Sequence, residues 1–344
     1  MLALSKVTQG ENGLALVDHA EPQIGPGQVL IRIEASGICG TDIQIYKWAP
    51  RMARRMTLPR VLGHEGSGVV VGVGQGVNRV KVGDHVSLES HIFCGECHQC
   101  KTDRAHLCVN TRYPGVDIDG CFARYVVVPE QIAWVHPEPI PFEQAAIFEP
   151  FGIAMHVCNE GRGVASLPVL VSGCGPIGLM AVATARALGA RKVIAVDPIA
   201  IRRRAAIELG ADAALDPTTH DIVAEVKALT AGQGVEVAIE FSGTEPGFRT
   251  ALDCVTKGGE FRLVGAPALP IEIDLTRWLL QCPTIYNIHG RRIWRSWDQL
   301  WALFKSGKID LRPVISHVLP LSEGITGFDL IRKGEALKPI LIPS

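Results

Sequence analysis

Four cysteines, Cys94, Cys97, Cys100 and Cys108, are spaced C-x2-C-x2-C-x7-C. Thiolates this close in sequence can surround one zinc ion tetrahedrally and leave no coordination position open, so they predict a structural metal site. They are also too crowded for an ordinary disulfide framework. A second group suits different chemistry. Cys39 stands in Gly37-Ile38-Cys39-Gly40-Thr41-Asp42, and His64 and Glu65 follow Gly63. A thiolate, an imidazole and a carboxylate can hold a zinc ion that keeps one position vacant for a reacting molecule. Taken singly these residues are ordinary, since a lone histidine is usually packed or loop-bound and a lone cysteine is a small buried apolar residue. Their combination with the four-cysteine set predicts a catalytic zinc beside a structural one, two zinc ions per subunit. Thr41 offers a hydroxyl that either accepts and passes on a proton or stabilises a turn. His91, just ahead of the cysteine set, either lines the pocket of the open metal or packs beside the closed one.

A third constellation suits a nucleotide. Gly173, Gly175 and Gly178 form G-x-G-x-x-G between a predicted strand and a predicted helix, with Pro176 and Ile177 in its last variable positions. Such a turn lets the backbone approach a pyrophosphate, whose charge meets the free N–H groups of the helix start. Asp197 ends the next strand, where a carboxylate accepts hydrogen bonds from both hydroxyls of an adenosine ribose. Asp197 would repel a 2'-phosphate, which predicts NAD over NADP. Arg202, Arg203 and Arg204 pull the other way, since a guanidinium close to the ribose could bind such a phosphate. NAD remains the expectation because the carboxylate holds the decisive position, with Arg202 as a candidate cofactor contact. A similar cluster, Gly72, Gly74 and Gly76, lies among valines and leads to no helix, so it reads as a hairpin turn.

These residues need scaffolds of two kinds. From Gln28 to Phe151 the chain alternates apolar and other residues, broken by glycine and proline, which predicts an irregular β domain with long loops. After Gly163 the rhythm changes. Apolar runs at Leu167–Val171, Val193–Val196, Val235–Phe241 and Phe261–Val264 are separated by helical stretches, including Pro176–Leu188, Ile201–Leu209 and Ile222–Leu229. That alternation predicts an α/β doubly wound parallel sheet. A helix is predicted at Trp297–Phe304 and a closing strand at Pro339–Ile342, assigned back to the first domain. Two domains suit 344 residues. With 34 basic and 35 acidic residues there is no electrostatic footprint for nucleic acid or anionic lipid. No apolar run is long enough to span a bilayer and the start lacks export features, so a cytoplasmic location is expected.

In this order the motifs resemble the zinc-containing branch of the medium-chain dehydrogenase/reductase family, over nearly the whole chain. The pattern is most similar to its L-threonine 3-dehydrogenase group. The residues that carry this are Cys39-Gly40-Thr41-Asp42, Gly63-His64-Glu65, His91, Glu149-Pro150-Phe151-Gly152 and Gly290-Arg291. Polyol dehydrogenases such as sorbitol dehydrogenase share fewer of them. The resemblance implies a GroES-like catalytic domain from residues 1–152 and 291–344, a Rossmann NAD-binding domain from 153–290, and an active cleft where they meet. It implies catalytic zinc on Cys39, His64 and Glu65, with Glu149 as an additional or exchanging ligand, and a homotetramer. The implied reaction takes a hydride from a small secondary alcohol to NAD, with a polyol or diol dehydrogenase as the alternative. Gln44 departs from the family pattern, standing where many members carry a histidine that relays the substrate proton through the cofactor ribose. An amide takes up no proton near neutral pH, so Gln44 can position the ribose without acting as a base. The loop Lys47–Thr57, with Arg51, Arg54 and Arg55, serves either an anionic substrate or a solvated face. A non-catalytic scaffold on the same fold is the remote alternative. Against it stands the complete set of Cys39, Thr41, His64 and Glu65.

Overall fold

The computed structural model describes residues 1–267 and 269–343. It divides into two compact units, residues 1–149 with 315–344 and residues 150–314.

The first unit begins with eight strands: β1 (Leu2–Lys6), β2 (Leu14–Asp18), β3 (Gln28–Gly37), β4 (Arg60–Val61), β5 (Glu65–Val73), β6 (His85–Leu88), β7 (Tyr125–Pro129) and β8 (Ala133–Val135). A small sheet has the order β2-β1-β4, and the larger one contains β3-β5-β6-β8 with β7 also on β3. Along β3 the residues Val29, Ile31, Ile33 and Ala35 are buried and their neighbours half-buried, the alternation of a strand with one face on a core. Leu62, Val70, Phe122 and Phe328 fill that core. The Gly72 to Gly76 cluster ends β5 and opens the connection to antiparallel β6.

The second unit holds β9 (Pro168–Ser172), β10 (Lys192–Val196), β11 (Ala213–Leu215), β12 (Val235–Glu240), β13 (Val255–Leu263) and β14 (Thr284–Asn287). All pair in parallel, in the order β11-β10-β9-β12-β13-β14. The winding reverses between β9 and β12, and a doubly wound sheet opens its ligand crevice at such a reversal. Val169 to Val171, Val193 to Ala195 and Val237 to Ile239 are wholly buried because parallel strands are covered on both faces. Residues 291–314, grouped with the N-terminal half in the sequence reading, fall in this unit. Polar contacts hold them there: Arg292 donates to Glu160 at 2.9 Å, and Asn159 donates to Gln299 at 3.5 Å.

The chain then completes the first unit with β15 (Ile315–Pro320) and β16 (Lys338–Ile342). β16 runs parallel to β15 and antiparallel to β3, with Ile340 opposite Gly37.

One buried histidine makes this unit acid-sensitive. His136 Nε2 lies 2.8 Å from Ser87 Oγ, and its ring packs edge-on against Trp134. Burial, aided by the neighbouring His85, holds its pKa down to about 3. An unfolded histidine takes up a proton near pH 6.5 and the folded one refuses it. The unfolded state therefore binds more protons as pH falls from about 6.5 towards about 3, and stability drops by about 1.4 kcal/mol per pH unit in that window. His136→Gln is expected to flatten the fall in Tm between about pH 6.5 and about pH 4. Parallel curves for both proteins would contradict this.

Candidate functional site

The end of the β3–β5 ladder positions the first site. Gly37 pairs with Glu65, so Cys39, just past β3, and His64, just ahead of β5, emerge at the same edge. Two glycines make room. A Cβ on Gly37 would lie 2.5 Å from Glu65 Oε2, and Gly63, at φ +91°, would place one 2.4 Å from the Phe122 ring. Ligand atoms of Cys39, His64 and Glu65 consequently lie within 4.8 Å of one another. His64 and Glu65 are buried and Cys39 is half-buried. Thr41 Oγ1 is 3.9 Å from Cys39 Sγ, on the helix Gly40–Tyr46. Gln44 lies one turn further along that helix and is exposed.

Charge within the cluster is strongly acidic. Asp42 is fully buried, accepts the Cys39 backbone N–H at 2.8 Å, and has Oδ1 3.9 Å from His64 Nδ1. Burial works against a charged imidazole at His64. The Cys39 thiolate and the Asp42 and Glu149 carboxylates outweigh it and push the ring up to about 10. Glu149, at the start of the helix Phe148–Asn159, thus acts on the cluster through its charge but is not in the group of three that converges within 4.8 Å. Buried Lys338 pairs with Glu65 Oε2 and donates to Ile38 O at 3.0 Å.

This donor set fits a zinc ion. A buried thiolate, imidazole and carboxylate converge, and Glu65 Oε1 has no hydrogen-bond partner of its own. Removing such an acceptor from water without a partner is costly unless a cation compensates it. The four-cysteine loop fits a second ion more tightly. Its sulfurs lie within 4.8 Å of one another, with Cys97 to Cys100 and Cys94 to Cys108 both at 3.5 Å. A tetrahedron with bonds of about 2.3 Å has edges of about 3.8 Å, whereas a disulfide would hold sulfurs at about 2.05 Å. Backbone N–H groups of Glu96 and Cys97 donate to Cys94 and pull its thiol down to about 6, towards the form that binds metal.

His91 follows β6. Its Nδ1 lies 2.7 Å from buried Glu89 Oε1, and its ring meets Tyr113 edge-on at 5.0 Å. In the basic loop, Arg55 forks onto Asp117 at 2.6 and 2.8 Å and stacks over Tyr113, while Arg51 and Arg54 are exposed. Arg55 is therefore spent on holding the loop.

The second unit carries the glycine turn at its strand reversal. Gly173, at φ +89°, lies where a Cβ would strike Ser242 N at 2.6 Å, and a Cβ on Gly178 would strike Gly173 O at 2.0 Å. Gly175 borders open space at the N-cap of the helix Pro176–Ala187, with Pro176 and Ile177 in its first turn. Asp197, just past β10, accepts from Cys174 N and Ile199 N, each at 2.8 Å. Those bonds fix its carboxylate beside the turn, with Arg202 Nη1 3.5 Å away. Arg203 instead binds Asp197 O and Asp216.

A β-rich unit with one closed and one open thiol-containing metal site, and a doubly wound unit with a glycine turn at its reversal, define a class: zinc-dependent dehydrogenases. Residues 25–139 match the alcohol dehydrogenase GroES-like domain family, and residues 176–306 match the zinc-binding dehydrogenase family. The chain belongs to this zinc-containing medium-chain alcohol dehydrogenase family, and it is a zinc-dependent alcohol-type oxidoreductase. It is 43% identical to the L-threonine 3-dehydrogenase of Bacillus subtilis, with 100% of this chain and 99% of that protein covered. It is 41% identical to the L-threonine 3-dehydrogenase of Pyrococcus furiosus, with 99% and 98% covered. The solved alcohol dehydrogenase TADH from Thermus sp. ATN1 has a TM-score of 0.92 at 29% identity, covering 100% of both chains. The expected GroES-like and Rossmann-type architecture is thus the observed one.

Sequence reasoning passed over Asp42, Glu89 and Lys338. Asp42 lay inside a quoted motif and Glu89 two residues from His91, so both had a local signal. Lys338 had none, because only the pairing of β16 with β3 brings it to Glu65.

Proposed function

We propose that the chain is an NAD-linked dehydrogenase of L-threonine, working as a cytoplasmic homotetramer. The observation that carries the reading is the convergence of Cys39, His64 and Glu65 within 4.8 Å, with the Thr41 hydroxyl 3.9 Å from Cys39 Sγ. Threonine is favoured because the relatives described above carry that activity in their names across their full length. NAD is favoured by Asp197, whose fixed carboxylate suits ribose hydroxyls and repels a 2'-phosphate.

The four cysteines at 94, 97, 100 and 108 would hold the structural ion, and Cys39, His64 and Glu65 the catalytic one, with Glu149 near enough to act on the latter by charge. When bound, the catalytic ion supplies Lewis-acid polarisation of the substrate hydroxyl. Asp42, with Oδ1 3.9 Å from His64 Nδ1, would act on the imidazole by charge. The Thr41 hydroxyl would accept the proton of the substrate hydroxyl while giving up its own, and the nicotinamide, when bound, would supply the hydride acceptor. Gln44, with no titrating group, can only orient. The turn from Gly173 to Gly178, with Asp197 and Arg202, binds the dinucleotide.

Assembly is supported by the edge of the second unit. β14 ends its sheet, and Leu275, Leu279 and Leu280 on the adjoining helix Leu275–Gln281 are exposed, a surface suited to burial against a second copy. The location is supported by ten cysteines that form no disulfide. Among the described residues no helix is long and apolar enough to cross a membrane.

Dinucleotide reduction with threonine, sorbitol, galactitol, 2,3-butanediol and erythritol, each with NAD and NADP, tests the reading. Threonine with NAD is expected to give the highest kcat/KM. A polyol or diol preferred by about tenfold or more would replace the substrate, and a preference for NADP would remove the role given to Asp197.

A further inference from the structure

The strand reversal of the second unit holds a buried carboxylate that belongs to neither metal site nor to the glycine turn. Glu240 ends β12, opposite Ser172 at the end of β9, and is fully buried. A carboxylate out of water is costly unless donors meet it. Here they come from the turn that follows. Oε1 accepts the Ser242 backbone N–H at 2.7 Å and also the Ser242 hydroxyl, and Oε2 accepts the Gly243 N–H at 3.2 Å. Burial pushes the carboxyl above its ordinary range, and these bonds pull against that rise. The backbone oxygen of Glu240 accepts in turn from Val264 N at 2.9 Å and Gly265 N at 2.8 Å, just past β13.

Two contacts carry this arrangement to the crevice. Ser242 lies against the glycine turn, since a Cβ on Gly173 would lie 2.6 Å from its nitrogen, and Ser242 itself is exposed. Its hydroxyl is 3.0 Å from Thr244 Oγ1, which caps the helix Glu245–Asp253 by accepting from Gly247 N at 3.2 Å. In the sheet order this turn stands on the side of β9 away from β10 and Asp197. A dinucleotide laid across a strand reversal puts its two halves on opposite sides of it. With Asp197 taking the adenosine half, the Glu240 side is left to the nicotinamide half.

We propose that Glu240 is a positioning residue for the nicotinamide half of the cofactor: by gathering the Ser242 and Gly243 donors it keeps the 241–244 turn folded against the glycine turn, in the shape a bound dinucleotide meets. A wall held in that shape beforehand need not be ordered on binding, which lowers the cost of association. This rests on the NAD-linked reading given above.

The test uses the full-length, zinc-loaded protein as wild type, Glu240→Gln, Ser242→Ala and the double variant Glu240→Gln/Ser242→Ala. Dissociation constants are measured for NADH by quenching of tryptophan fluorescence, and by calorimetry for AMP, which reaches only the Asp197 side. In Glu240→Gln the amide nitrogen opposes one of the donors, and a turn correctly held about a tenth of the time weakens NADH about tenfold. AMP should stay within about twofold. KM for NAD should rise by about tenfold while kcat, on whichever alcohol is oxidised fastest, falls by no more than about twofold. Ser242→Ala keeps the carboxylate and both N–H bonds, so it should fold as wild type does and weaken NADH by about threefold. The double variant should match Glu240→Gln, because the hydroxyl acts through the carboxylate. Equal weakening of NADH and AMP, unchanged NADH affinity in Ser242→Ala, or losses that multiply in the double variant would each overturn the proposal. Should Glu240→Gln not fold, Ser242→Ala decides alone: a loss on NADH without one on AMP upholds the proposal, and no loss on NADH ends it. If wild type binds AMP but no nicotinamide dinucleotide, it is the cofactor reading that has failed, and the positioning role falls with it.

Discussion

Replacing Cys39 by serine, or His64 by alanine, is expected to lower kcat by about a thousandfold or more while leaving dinucleotide affinity unchanged. Lewis-acid polarisation of an oxygen contributes several kcal/mol to a transition state, and each 1.4 kcal/mol is worth about tenfold in rate. Among the described residues the group that converges within 4.8 Å is Cys39, His64 and Glu65, so each would carry a large share of the holding. Glu65 is already shared with Lys338, so losing the thiolate or the imidazole leaves one carboxylate with divided duty. The glycine turn and Asp197 belong to the other compact unit. Metal analysis should show about two ions per subunit falling to about one. Turnover at the wild-type rate in a variant that had lost that ion would end the zinc-centred mechanism.

The second large effect concerns stability. Cys97→Ser is expected to lower Tm by roughly 10 °C and to make the segment around residues 94–108 the first site of proteolysis. From residue 92 to residue 112 only His106 and Cys108 are buried, so this lobe has no apolar core of its own. An ion held by the four sulfurs would take the place of that core. Structural zinc in small domains is worth about 10 kcal/mol or more, of which a lobe attached to a folded sheet loses only part. A loss of about 3–5 kcal/mol in a cooperative unit the size of the first one corresponds to roughly that shift in its Tm. NAD binding should persist, and activity measured in the cold should largely survive. An unchanged Tm together with unchanged metal content would show that the thiols hold no ion.

Much of the candidate site was legible because its signals are local. The four-cysteine spacing, Gly63-His64-Glu65 and the glycine turn after β9 each occupy one short stretch, and the residue types state their chemistry. The strands β9, β10 and β12 were equally plain, since strands covered on both faces read as unbroken apolar runs. What escaped depends on contacts remote in sequence. β14, at the sheet edge, has a half-buried centre and exposed ends, and the leucines of the helix before it face solvent, so neither shows the periodicity of an element packed on a core. The extent of β3 through Gly37 was also hidden. Its last residues are buried by Glu65 and Leu341, which local alternation cannot reveal.

The pairing of β16 with β3 also bears on how the protein is made. Lys338 reaches the backbone of Ile38 across 300 residues of chain. On a ribosome the whole doubly wound sheet emerges and can close while the earlier β-rich unit still lacks β16. Until that strand is released, Cys39, His64 and Glu65 have neither their backing ammonium nor a finished wall. Maturation of the reactive centre therefore waits for Lys338, and a nascent chain stalled before Lys338 should bind nucleotide before it can retain an ion at Cys39, His64 and Glu65.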